Sequence, residues 1–125
     1  AGPMLSSCTR TIDARPEAPR SDPWTHYVVA RQDLPRGIQA AQIIHAAGHS
    51  AGVGQLHQST YAVALSCRDE GDLRALTERL KAAGVPLHLI HEPDAPYNGQ
   101  LMAIGLEPNY KSRFKKFLSN LPLIK

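Results

Sequence analysis

The sequence predicts an α/β fold: a single domain with a four-stranded mixed sheet flanked by helices. Two observations predict it. Short β-branched and aromatic runs alternate with longer segments of helical composition, in the order strand, helix, strand, helix, strand, strand, helix. Only a short loop separates the last two strands, which suits an antiparallel pair, whereas strands joined through a helix suit parallel neighbours. The sheet is therefore expected to be mixed rather than all parallel.

Residues 1–24 carry Ser, Thr, Pro, Arg, Asp and Glu without apolar periodicity. Such a segment buries too little surface to offset the entropy of ordering, so a disordered tail is expected. Its first residues, Ala1-Gly2-Pro3 before Met4, read as a cloning remnant. The folded domain is expected to span residues 25–125. Its first strand is Tyr27-Val28-Val29-Ala30, ended by Gln32-Asp33, Pro35 and Gly37 and expected to lie buried at the sheet centre.

Strong helix formers from Ile38 to about Ala51 predict the first helix. Ala40, Ile44, Ala47 and Ala51 form a stripe suited to packing on the sheet, while Gln42, His45 and His49 fall on another face. A Gly/Gln loop through Gly54 leads to a second strand, Tyr61–Leu65. Asp69 and Glu70 then open a helix with Leu73, Leu76, Leu80 and Ala83 on one side and Gly84 as its stop, an element that reads as purely structural. Leu87–His91 and Leu101–Leu106 are the remaining strands, and Tyr110–Leu121 is a final helix anchored by Phe114, Phe117 and Leu118.

The composition of this 125-residue chain, 42% hydrophobic and 20% charged, is that of a globular domain. Its apolar runs are too short for a helix that crosses a bilayer, and the cytoplasm is the expected location. Cys8 and Cys67 have no spacing that suggests a disulfide frame or a zinc site, and both are expected to be free thiols. Neither a GxGxxG nor a P-loop sequence occurs. His45 and His49 are four apart and His88 lies near His91, but no H-E-x-x-H accompanies them, so no metal is expected. The net charge is +3, and the end of the chain is its basic part: Lys111, Arg113, Lys115, Lys116 and Lys125 follow Tyr110 with no acidic residue. That patch suits a phosphate backbone or a solvated helix face.

Arg31-Gln32-Asp33-Leu34-Pro35-Arg36-Gly37, followed by Ala40-Ala41-Gln42-Ile43-Ile44-His45-Ala46-Ala47, resembles the first strand, loop and helix of type 2 peptidyl-tRNA hydrolases. The A-A-Q-x-x-H-A-A core is the most specific part. Glu92-Pro93-Asp94 ahead of Leu101-Met102-Ala103-Ile104-Gly105 is similar to the family's strand, acidic loop and final strand, and Leu121-Pro122-Leu123-Ile124-Lys125 to its ending. The likeness covers roughly residues 25–125. It departs in three places: the family lysine four residues before the glutamine is Ile38, the acidic loop is short, and a threonine expected after the aspartate is absent, with Asn98 and Gln100 the nearest polar residues.

The resemblance implies hydrolysis of the ester between a peptide, or an N-blocked aminoacyl group, and the 3′ end of tRNA, with peptidyl-tRNA as partner, no cofactor and a homodimer. Such hydrolysis needs an oriented water, a proton acceptor and donors for the developing oxyanion. Asp94, in a strand-exit loop, is the implied general base; otherwise it is a turn residue after Pro93. His45 can relay a proton and Gln42, one turn away, can hold substrate or water; otherwise His45 is a packing residue. Arg36 would supply positive charge in place of the lysine, Gln100 or Asn98 would orient, and Tyr97 would stack on the terminal adenosine. Arg31, Arg36, Lys111, Lys115 and Lys116 are candidates for tRNA phosphates. The missing lysine also motivates a second reading, a tRNA- or partner-binding module that has lost its chemistry, and a third, a protein-interaction adaptor on the same scaffold.

Overall fold

The computed structural model describes residues 22–52 and 59–125. The expected tail and the Gly/Gln loop thus lie almost wholly outside the described residues. The elements run β1 (Trp24–Arg31), α1 (Arg36–Ser50), β2 (Tyr61–Cys67), α2 (Glu70–Ala82), β3 (Leu87–Glu92), β4 (Gln100–Leu106), β5 (Asn109–Tyr110) and α3 (Lys111–Leu118). This is the expected single-domain α/β order, with a two-residue fifth strand added ahead of the last helix.

The sheet order is β2-β1-β4-β3, and β5 pairs with the start of β1. β1 is parallel to β2, from Thr25 opposite Tyr61 to Arg31 opposite Cys67, and antiparallel to β4. β3 is antiparallel to β4 and so runs with β1. The carboxyl ends of β1, β2 and β3 therefore meet at one edge of the sheet, where α/β folds place their ligands.

β1 is buried along nearly its whole length, because both its faces are covered. Tyr27 and Val29 point to α2 and α3, joining Leu73, Leu80, Leu101, Ile104 and Phe114 in the larger core. Val28 and Ala30 point to α1, with Ala46, Ile90 and Ala103. At the far end, β5 brings Tyr110 edge-on to Trp24, ring centres 5.0 Å apart.

The helix ends follow local rules. Asp69 caps α2 by accepting from the Asp72 amide at 3.0 Å. Gly84, at φ +73, takes the left-handed conformation that closes the same helix. Leu73, Leu76 and Leu80 face the core as expected, whereas Ala83 is exposed at the cap.

The face of α1 differs from the expected one. The stripe Ala40-Ile44-Ala47-Ala51 does not pack as a unit: Ala40 is exposed and Ile44 is 71% exposed. The buried residues are Gln39, Gln42, Ala46 and Ser50. They turn inward because strand groups wait for them: the Gln39 amide donates to Arg31 O at 2.8 Å, and Ser50 lies against His26 at 2.7 Å. A buried polar side chain with a partner is no worse placed than an alanine. The helix can come so close because β4 has Gly105 beneath it, where a Cβ would strike the Ala46 carbonyl and the Ser50 side chain.

Candidate active site

Three strand ends and the start of α1 build the candidate site. β3 and β4 are joined by residues 93–99, a compact turn: the Asp94 carbonyl accepts from the amides of Tyr97 at 3.0 Å and Asn98 at 3.1 Å, and Gly99 N donates to Glu92 O at 2.6 Å. Asn98 at φ 49 and Gly99 at φ 92 take left-handed conformations, which asparagine and glycine tolerate best. The turn uses the Asp94 backbone and leaves its side chain at the surface. That carboxylate makes no hydrogen bond or ion pair among the described residues, while the Asp94 backbone amide donates to Glu92 Oε2 at 3.3 Å.

Glu92 joins this loop to the first helix. Its other oxygen accepts from Gln42 Nε2 at 3.2 Å, and Gln42 is only 5% exposed. Gln42 and Asp94 are thus brought together through one intervening carboxylate. His45 is not: it lies exposed on the outer side of α1, as His49 does, and bonds to neither Gln42 nor Asp94.

Arg31, expected to reach for phosphate, is instead buried and fully engaged. Its Nε and Nη2 donate to the two oxygens of Asp33, both at 2.9 Å, and Nη1 donates to Gln100 Oε1 at 2.9 Å and Leu101 O at 3.1 Å. A bidentate pair of this kind is geometrically rigid. The Arg31 guanidinium holds the Asp33 carboxyl below the usual carboxylate range. Between Ile90 and His91 the register with β4 shifts, leaving Met102 as an extra residue whose sulfur faces Arg31 Nη1 at 3.8 Å. Gln100 is therefore a strut of the β4 end as well as a candidate substrate contact.

The second helix also reaches this edge of the sheet, in the structural role expected of it. Glu70 Oε2 accepts from the Leu101 amide at 2.8 Å and from Arg74 at 2.8 Å. The Leu101 amide and then Arg74 hold the Glu70 carboxyl below its usual range. Arg31, Asp33, Glu70 and Gln100 together lock the first residues of β4, and with them one end of the acidic loop.

Arg36 is exposed at the start of α1, donates to Lys125 O at 3.0 Å and lines a cavity of about 290 Å³ with Gln32, Gln39, Ser66 and Lys125. Tyr97 is half-buried in the acidic loop, and Asn98 is exposed, its amide donating to Pro96 O at 3.3 Å. Lys115 is not brought to this edge: it lines a groove with Lys111, Tyr27 and Val63 on the α3 side of β1 and β2. Cys67 is buried, and burial pushes its thiol up to about 11, which keeps it protonated near neutrality.

Sequence reasoning gave no individual site role to Glu92, Asp33 or Glu70. Arg31 and Asp33 did carry a signal, opposite charges two apart at a strand end. Glu70 and Glu92 carried none, since their partners lie 31 and 50 residues away.

A search of curated proteins gave no match. The family model described as Peptidyl-tRNA hydrolase PTH2 matches residues 24–124, every element from β1 through α3 and the acidic loop between β3 and β4, and the chain belongs to that family.

Proposed function

We propose that this chain hydrolyses the ester between a peptide, or an N-blocked aminoacyl group, and the 3′ end of tRNA, with Asp94 as general base. The observation that carries the reading is the Asp94 carboxylate: exposed, unpaired among the described residues, and carried by a backbone bonded beside the Glu92–Gln42 contact. Asp94 takes a proton from water as the water oxygen attacks the ester carbonyl. The resulting oxyanion collapses, the C–O bond to the 3′ ribose oxygen breaks, and that oxygen takes up the proton. Gln42 holds the water or the carbonyl, and Gln100 or Asn98 orients the acyl group. His45, exposed on α1, acts as a proton relay only once substrate covers it.

Arg36, at the start of α1, supplies positive charge where the family lysine gives way to Ile38, and Tyr97 offers a ring to the terminal adenosine. Lys115 contacts a more distant part of the tRNA across the α3 face, through contacts that position without reading sequence. The reading includes a cytoplasmic setting and a homodimer. No helix among the described residues is long and apolar enough to cross a membrane.

Release of labelled acyl group from N-acetyl-aminoacyl-tRNA tests the proposal. Asp94→Ala is expected to lose about a hundredfold or more in rate, the usual worth of a positioned base; a loss under about tenfold removes Asp94 from that role. Ile38 motivates a second reading, in which tRNA is bound without turnover. Salt-sensitive tRNA binding by an inactive parent, with turnover restored in Ile38→Lys, is the result that reading expects.

A further inference from the structure

Glu92 takes no part in the steps above, yet its position ties together the two groups they depend on most. It is the last residue of β3, and three bonds radiate from it: Oε1 accepts from Gln42 Nε2 at 3.2 Å, Oε2 accepts from Asp94 N at 3.3 Å, and its carbonyl accepts from Gly99 N at 2.6 Å. The first reaches α1, the second the beginning of the acidic loop, the third its end.

The chemistry of the donors matters. A carboxylate only accepts, so the Gln42 amide must turn its nitrogen to Glu92, which leaves Gln42 Oε1 as the acceptor for a ligand. Without that partner a nearly buried amide would be left with an unsatisfied donor and would rotate or draw in water. Neither bond involves a cation: Arg31 is taken by Asp33, Arg36 by Lys125 O, and Glu92 forms no salt bridge among the described residues. The register shift just before Glu92 leaves Met102 as the extra residue of β4, so that Glu92 lies opposite Gln100.

We infer that Glu92 is a positioning residue that sets Gln42 and Asp94 relative to each other, one carboxylate oxygen for each. The inference rests on the hydrolase reading for its catalytic consequence, and its structural content is testable without it.

The experiment pairs turnover on N-acetyl-aminoacyl-tRNA with NMR of the full chain, for the parent, Glu92→Ala, Glu92→Gln, Gln42→Ala and the Glu92→Ala/Gln42→Ala double variant. Glu92→Ala is expected to lower kcat by about tenfold or more with KM within about twofold, as misplacement of groups that bind substrate weakly does. The double variant should lose less than the product of the two single losses, because both changes break the Glu92–Gln42 contact. Glu92→Gln keeps one acceptor oxygen and should fall between parent and Glu92→Ala. A kcat for Glu92→Ala within twofold of the parent, or losses that multiply in the double variant, overturns the inference.

If the parent shows no turnover, the hydrolase reading falls and NMR decides the positioning role alone. Faster exchange of the Asp94 amide and shifted Gln42 side-chain amide signals in Glu92→Ala support it. Signals unchanged from the parent at both groups overturn it.

Discussion

The two faces of the sheet are built on opposite principles. On the α2/α3 face the side chains are large: Leu73, Leu80, Leu101, Ile104 and Phe114 are essentially inaccessible and fill the space between layers. On the α1 face the buried ones are mostly small: Val28, Ala30, Ala46 and Ala103, with Ile90 the one large buried member of the cluster and Gly105 directly under the helix. Large side chains bury more apolar area and so carry more of the stability. Small ones bring a helix backbone close to the strands, so that Gln39, Gln42 and Ser50 reach polar partners on β1 and β3 directly. One face holds the domain together, and the other sets the register of the site.

Truncation on the large-residue face should have the biggest effect on stability. Phe114 is buried and meets Tyr27 edge-on with ring centres 5.5 Å apart. Phe114→Ala is expected to cost about 3–5 kcal/mol in urea unfolding, the usual cost of emptying such a site. Turnover per folded molecule should stay close to that of the parent, because α3 supplies no group at the loop that carries Asp94.

Enlargement on the small-residue face should cost less stability and more function. In Gly105→Ala the new Cβ lies 2.8 Å from Ser50 Cβ and meets the Ala46 carbonyl, so α1 must move away from β4. Overpacking of this kind costs about 1–3 kcal/mol. The displacement carries Gln42 away from Glu92, and turnover per folded molecule should fall. If Phe114→Ala lowered it as much as Gly105→Ala does, the division of labour between the faces would not hold.

The same contrast explains what could be read from the sequence. The α2/α3 face was legible, because Leu73, Leu76 and Leu80 repeat at helical spacing and Phe114, Phe117 and Leu118 mark their own helix; apolar periodicity reports apolar contacts. The face of α1 was misread for the same reason, since the apolar residue Ile44 points to solvent and the amides point in. Their partners, Arg31 O, Glu92 and His26, are spread over other elements, and nothing local to the helix announces them. β5 was missed because two residues carry no periodicity. Arg31 was taken for a phosphate contact because its charge is visible in sequence and its burial is not.

The smallest effect concerns the one ionisable ring in the small-residue layer. Ser50 Oγ donates its only proton to Ala46 O at 2.6 Å, so it accepts at 2.7 Å from His26 Nε2, which must carry a hydrogen. His26 is 4% exposed, and burial lowers its pKa from the ordinary 6.5. The unfolded chain therefore binds the His26 proton more readily than the folded one. This contribution to stability is fully present above about pH 6.5 and is lost as the pH falls through the lowered folded value. Asp33 and Glu70, both held below the usual carboxylate range, lose theirs only at more acid pH. The Tm of the parent should consequently fall between pH 7.5 and 5. In His26→Gln, which keeps a nitrogen donor for Ser50 without a titrating ring, that fall should be shallower. Equal slopes in the two proteins would mean that His26 takes up its proton in the fold without penalty, and that the layer under α1 admits more water than its small side chains suggest.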